Sequence, residues 1–135
     1  QIEDYINTHE QLGEIASREI ERIYLELRSP EDIPIELFGE FEPFVEATLD
    51  DPDEIWTLSD GMGHRWHIFM SKHYTEVRGK VSQFAMVCIC QAFNDGFEIV
   101  FSFPTVDASL VQHFRKGVNS LNKAFGVGGT SGRAA

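Results

Sequence analysis

Two apolar runs between Val81 and Pro104 dominate the pattern of the chain: VSQFAMVCICQAF, then NDG, then FEIVFSFP. β-branched and aromatic residues flank a three-residue turn closed by Asp95-Gly96, where Gly supplies the positive φ. That arrangement predicts a β-hairpin. The first arm is apolar on both faces from Phe84 to Ile89, so it reads as a central, covered strand. The second arm alternates. Phe97, Ile99, Phe101 and Phe103 are expected on one face, with Glu98, Val100 and Ser102 on the other.

The rest of the chain falls into place around this hairpin. Residues from about Glu3 to Leu27 carry Leu12, Ile15, Ile20, Ile23, Tyr24 and Leu27 at helical spacings, and Arg28-Ser29-Pro30 stops the helix. From Ile35 to Leu49, Leu37, Phe38, Phe41, Phe44, Val45 and Leu49 predict one or two short helices. Gly39 and Pro43 interrupt that run, and Pro is tolerated only at a helix start. Ile55 to Leu58 reads as a first strand, followed by a turn over 59–63. HRWHIFMS (64–71) is a cleanly alternating second strand, with Arg65, His67, Phe69 and Ser71 on one face. Residues 72–80, with Lys72, His73, Arg78 and Lys80, read as a polar loop. Pro104 ends the last strand, Asp107 is a good N-cap, and Leu110, Phe114, Val118 and Leu121 predict a helix closed by Gly126. The expected fold class is α+β: N-terminal helices, a four-stranded antiparallel β-meander and a C-terminal helix, with the helices on one face of the sheet. Residues 1–125 form a single domain, and the Gly-rich 126–135 a flexible tail.

At 135 residues, 42% of them hydrophobic, the chain is long and apolar enough for one packed domain. It begins at Gln1 without a Met, which reads as a piece of something longer. No apolar run approaches the ~20 residues of a membrane helix, so no membrane is expected. The net charge of −11 is unevenly spread. Residues 1–60 hold 18 acidic and 3 basic side chains; residues 61–135 hold 4 and 8. An acidic whole argues against generic nucleic-acid binding, while the basic half leaves room for a phosphate-facing patch. Cys88 and Cys90 lie two apart on one strand, where a disulfide would be strained. Reduced, buried thiols in a reducing, cytoplasmic compartment are the expectation.

The chemistry-bearing residues gather on the polar face of the predicted sheet. Arg65 and His67 come from the second strand, Glu98 and Ser102 from the fourth. A carboxylate, an imidazole and a guanidinium suit metal-independent phosphodiester transfer: a base for the 2′-hydroxyl, an acid for the leaving oxygen and a cation for the phosphate. The same pattern also fits a cross-strand Arg65–Glu98 ion pair on a solvated face, with His67 beside it. His64, His67 and His73 with Cys88 or Cys90 match no zinc spacing. The run Asp50, Asp51, Asp53, Glu54 lacks the spacing of a calcium loop. No cofactor is implied.

Three stretches carry a resemblance: LDDPDEIW (49–56), HRWHIFM (64–70) and VFSFP (100–104). With two helices before a four-stranded meander, residues 33–104 resemble the barnase–EndoU–colicin–RelE nuclease superfamily, in its phage-associated branch. The resemblance implies that Arg65 or His67 binds or protonates phosphate and that Ser102 contacts it. The family usually brings a His from the helical region as base. Here PIELFGEFEPFVEA offers Glu36, Glu40 or Glu42 instead. The expectation is therefore an RNA-cleaving domain, or one of that fold that has lost activity. The alternatives are a non-catalytic, immunity- or antitoxin-like module that docks a basic protein on its acidic N-terminal helical face, and a structural domain of a phage or mobile-element protein.

Overall fold

A computed structural model describes residues 16–61, 63–77 and 79–121. The predicted helix start at Glu3 and the Gly-rich tail lie outside those residues. Helix α1 covers residues 16–27 and ends where Ser29-Pro30 was expected to stop it. A 3-10 helix (Ile35–Phe41) leads directly into α2 (Glu42–Asp50), with Pro43 in the first turn of α2. Pro there lacks only an N–H that has no intrahelical partner anyway. Strands β1 (Glu54–Ser59), β2 (Arg65–Val77), β3 (Lys80–Phe93) and β4 (Gly96–Thr105) follow as an antiparallel meander. Helix α3 (Ala108–His113) is capped by the Asp107 side chain, which accepts from the Ser109 N–H. A two-residue strand, β5 (Val118–Asn119), then joins the open edge of β1. The sheet order is β4-β3-β2-β1-β5, an α+β fold with one strand more than the sequence pattern suggested.

The layers also differ from expectation, because the helices cover both faces of the sheet. On one face, Tyr24 of α1 and Leu110 and Phe114 beside α3 pack against Ile68, Met70, Val87, Ile89 and Phe103. On the other, Phe41 of the 3-10 helix, with Phe44, Val45 and Leu49 of α2, packs on Phe69, Phe84, Met86, Cys88 and Cys90. Phe84 takes Phe41 and Phe44 edge-on, at 5.0 Å each, a favourable aromatic arrangement. An apolar stripe as wide as that of residues 37–49 needs a sheet face of its own, and β3, apolar on both sides, supplies two. Leu27, expected in the stripe of α1, is exposed instead.

Three local corrections shape the candidate site. First, residues 72–80 are not a loop. β2 and β3 stay paired to Val77↔Lys80, and Gly79 takes the positive φ (81°) of the turn. Beyond Met70 and Ala85 neither strand has an outer neighbour, so residues 73–77 and 80–84 form a two-stranded ribbon. Thr48 on α2 anchors its base. Its hydroxyl donates to Phe44 O (2.7 Å), so the 2.9 Å contact with His73 Nε2 requires the imidazole N–H to donate.

Second, Gly96 does not carry the turn. It pairs with Phe93 as the first residue of β4, leaving a two-residue turn at Asn94-Asp95. Third, β4 contains a bulge. Between Phe93↔Gly96 and Ala85↔Thr105, nine residues of β3 face ten of β4, so one residue must be left out of register. Val100 is that residue: Ile89 pairs with Phe101, but Cys90 pairs with Ile99. A bulge reverses the facing of everything beyond it.

The predicted C-terminal helix is cut short for a steric reason. Gly117 has φ +84° and sits against β1, where a Cβ would lie 2.2 Å from Thr57 O. This turn sends Val118 and Leu121 away from a helical stripe. The Val118 side chain is exposed in β5.

Candidate functional site

Arg65 and His67 project from β2 on the α2 side of the sheet, in the same alternation as Phe69 and Ser71. Their end of that face lies beyond the helical cover, and Arg65 is exposed. The bulge brings Phe97 and Ile99 to the same side, 46% and 44% exposed. Phe97 stacks 5.3 Å from Phe69, across the small Cys residues of β3. The sequence pattern had put Phe97 and Ile99 with Phe101 and Phe103. Those two remain on the opposite face, beneath α1.

Glu98 moves with the bulge. It pairs with Gln91, which pairs with Trp66, so Glu98 lies on the α1 side of the sheet. Arg65 and Glu98 are therefore on opposite sides, and neither the expected acid–base pair nor the cross-strand ion pair forms. Ser102 pairs with Cys88, one of the residues under α2, and does share the face of Arg65 and His67. It lies two strand spacings across and two residues along from His67, roughly 12 Å, and farther from Arg65, with Phe69, Cys88 and Cys90 between. Of the four expected site residues, Arg65 and His67 adjoin each other, Ser102 shares their face at a distance, and Glu98 does not.

Hydrogen bonding fixes the state of His67. Ser120 Oγ donates to Ile55 O (3.1 Å). The 3.1 Å Thr57–Ser120 contact then uses the Thr57 proton, so the 3.0 Å contact between Thr57 Oγ1 and His67 Nδ1 needs the proton on Nδ1. Nε2 is left as an acceptor. Burial, and secondarily the Arg65 charge, lower the pKa of His67. A neutral imidazole with a free Nε2 is a proton acceptor, which is the reverse of the acid role the sequence suggested.

The thiols are buried and held protonated. Burial pushes Cys88 and Cys90 up to about 12 each, with Cys90 and Glu42 adding their charge at Cys88. Glu42 thus overlooks the same face, at the start of α2.

No family model, curated protein or solved structure matches this chain.

Two further features stand out. One is a set of exposed carboxylates along the 3-10 helix and α2. Glu36, Glu40, Glu42, Glu46 and Asp50 there, and Glu31 just before them, are all exposed, and among the described residues none of them is in an ion pair. Residues 29–63 contain no Lys or Arg at all. The other is a pair anchored across the opposite face: Arg115 donates from Nε and Nη2 to Glu54, both at 2.9 Å. Trp56 Nε1 adds a 2.7 Å bond to the same carboxylate. Burial on its own would raise the Glu54 carboxyl, but the bonds from Arg115 and Trp56 hold it below the usual range. Glu54 and Arg115 are 61 residues apart. Arg115 was expected inside a continuous helix, so no spacing rule joins the two.

Among the described residues no three His, Cys, Asp or Glu side chains group as metal ligands. No helix there is long and apolar enough to cross a membrane.

Proposed function

We propose that the domain is a non-catalytic binding module, of the immunity or antitoxin kind, whose acidic helical surface docks on a basic protein. The observation that carries this reading is the carboxylate layer of the 3-10 helix and α2. Glu42, Glu46 and Asp50 follow one another at i,i+4 on α2. Like charges at that spacing cost an isolated helix about 0.2–0.5 kcal/mol per pair. Asp50 in the last turn also opposes the helix dipole. A cationic partner relieves both costs and is steered by the same field.

The test is fluorescence anisotropy with a labelled Lys/Arg-rich peptide. Wild type is expected to bind with an affinity that falls steeply with salt. Reversing two charges on α2 (Glu42→Lys with Glu46→Lys) should weaken binding at least roughly tenfold. The same reversal on α1 (Glu21→Lys with Glu26→Lys) should weaken it far less. Equal losses from both pairs would mean the peptide reads net charge rather than this surface, and would overturn the proposal.

A second reading rests on the nuclease-superfamily resemblance and on one observation: Arg65, His67 and Ser102 share a face that Glu42 overlooks. In it, Arg65 and His67 face the phosphate, Ser102 lies farther along the same face, and a Glu of the helical region stands where the family has a His. Phe97 then offers an exposed ring for base stacking.

A further inference from the structure

Between α3 and the base of the β2–β3 ribbon runs a cleft in two adjoining lobes of about 250 Å³ each. Lys72, Ala85, Val111 and Arg115 line both lobes. One lobe opens past Asp53 and Glu54, the other past Gln83 and Asp107. Most of its charged groups are already engaged. Arg115 is held by Glu54, Asp53 Oδ2 accepts the Lys72 backbone N–H at 2.9 Å, and Asp107 Oδ1 caps α3. Among the described residues, the Lys72 ammonium and the Gln83 amide make no hydrogen bond or ion pair. Lys72 does act through space on Glu54.

We infer that this cleft binds a carboxylate with a short apolar body. The Lys72 ammonium takes the charge, the Gln83 amide donates to the second oxygen, and the apolar body rests on Ala85 and Val111. One uncommitted cation matches one negative charge. A phosphate dianion would meet the carboxylates of Asp53 and Asp107 at the rim and the −11 charge of the whole chain. Each lobe is smaller than the roughly 300–1,000 Å³ of pockets for drug-sized ligands, which limits the body to a few carbons. A free branched-chain acid and the C-terminal carboxylate of a peptide share this chemistry.

The experiment is a titration of the full ¹⁵N-labelled chain, followed by amide chemical shifts. Isobutyrate represents the free acid, N-acetylvalinate the peptide end, and isobutyramide is the neutral control. Saturable shifts are expected at Lys72, Ala85 and Val111 with a Kd on the order of 1 mM. The tighter of the two acids identifies the source. Lys72→Gln, an exposed change that leaves the fold intact, should weaken binding at least roughly tenfold, as loss of a charged hydrogen bond does. Equal binding of isobutyramide, unchanged affinity in Lys72→Gln, or saturable shifts confined to other residues would overturn the inference. So would the absence of any saturable shift.

Discussion

Asp32→Ala is expected to cost about 3–5 kcal/mol. Asp32 is buried where the segment after α1 meets the end of β4. Its Oδ1 accepts from the N–H of Val106 (2.9 Å) and from its own neighbour Ile33 (2.7 Å). Its Oδ2 accepts the hydroxyl of Thr105, which itself accepts the Asp107 N–H. One carboxylate thus holds the α1 layer, the last residues of β4 and the entry to α3. Removing it strands the buried Ile33 N–H and Thr105 hydroxyl and the half-buried Val106 N–H, and an unsatisfied buried donor costs ~1–3 kcal/mol each. Asp32→Asn keeps one acceptor and should cost about half as much. Urea unfolding followed by circular dichroism measures both, and a shift in midpoint without a change in slope would identify a pure stability effect.

Gly117→Ala is the second large effect, expected at about 2–3 kcal/mol. Two penalties coincide there. The backbone sits at φ +84°, and the added Cβ would lie 2.2 Å from Thr57 O and 2.8 Å from Leu58 Cβ. The backbone oxygen cannot move without breaking β1. Relief comes instead by β5 leaving β1, so the loss is limited to the cost of detaching Val118–Asn119. That predicts a lower melting temperature, by roughly 4 °C per kcal/mol. It also predicts faster hydrogen exchange at Thr57, whose amide points to β5 in the same alternation as Ile55, the acceptor of the Ser120 N–H. His67 should lose its fixed tautomer as well, because Ser120 anchors the Thr57 hydroxyl. Slow exchange retained at Thr57 in the variant would contradict this account.

Much of the architecture is legible in residue pattern because the controlling interactions are local. Pro43 can only open a helix, Asp107 can only cap one, and Phe84 to Ile89 can only be a strand covered on both sides. The misplaced parts depend on events distant in sequence. The unbroken Phe97, Ile99, Phe101, Phe103 alternation gives no sign of a bulge. Two constraints require it: the tight turn at Asn94-Asp95 at one end of β4, and the bonds from Thr105 and Val106 to Asp32 at the other. Nine residues must then face ten, and the side of Glu98 is decided by that mismatch. The ribbon over 73–84 was hidden because its α1-side face meets water, where Tyr74 is 68% and Val81 78% exposed. Polar content there signals exposure and not a loop. Helices on both faces were hidden for the opposite reason: an apolar stripe says that it is covered, but not by which side of the sheet.

The candidate site was less legible than the fold because it rested on one periodicity carried across two strands. Arg65 and His67, two residues apart on β2, needed no tertiary information. Joining them to Glu98 needed the register of β4. The acidic layer was visible as composition, yet its value as a surface depends on its carboxylates being exposed and, among the described residues, outside any ion pair, which only the packed structure reveals.

The most direct measurement is RNA cleavage in excess chelator by wild type, His67→Ala and Glu98→Gln. With acid and base on opposite sides of the sheet, the three proteins are predicted to be indistinguishable from buffer. Metal-free cleavage by wild type that disappears in both variants would contradict the account, since two residues so placed cannot serve one phosphate.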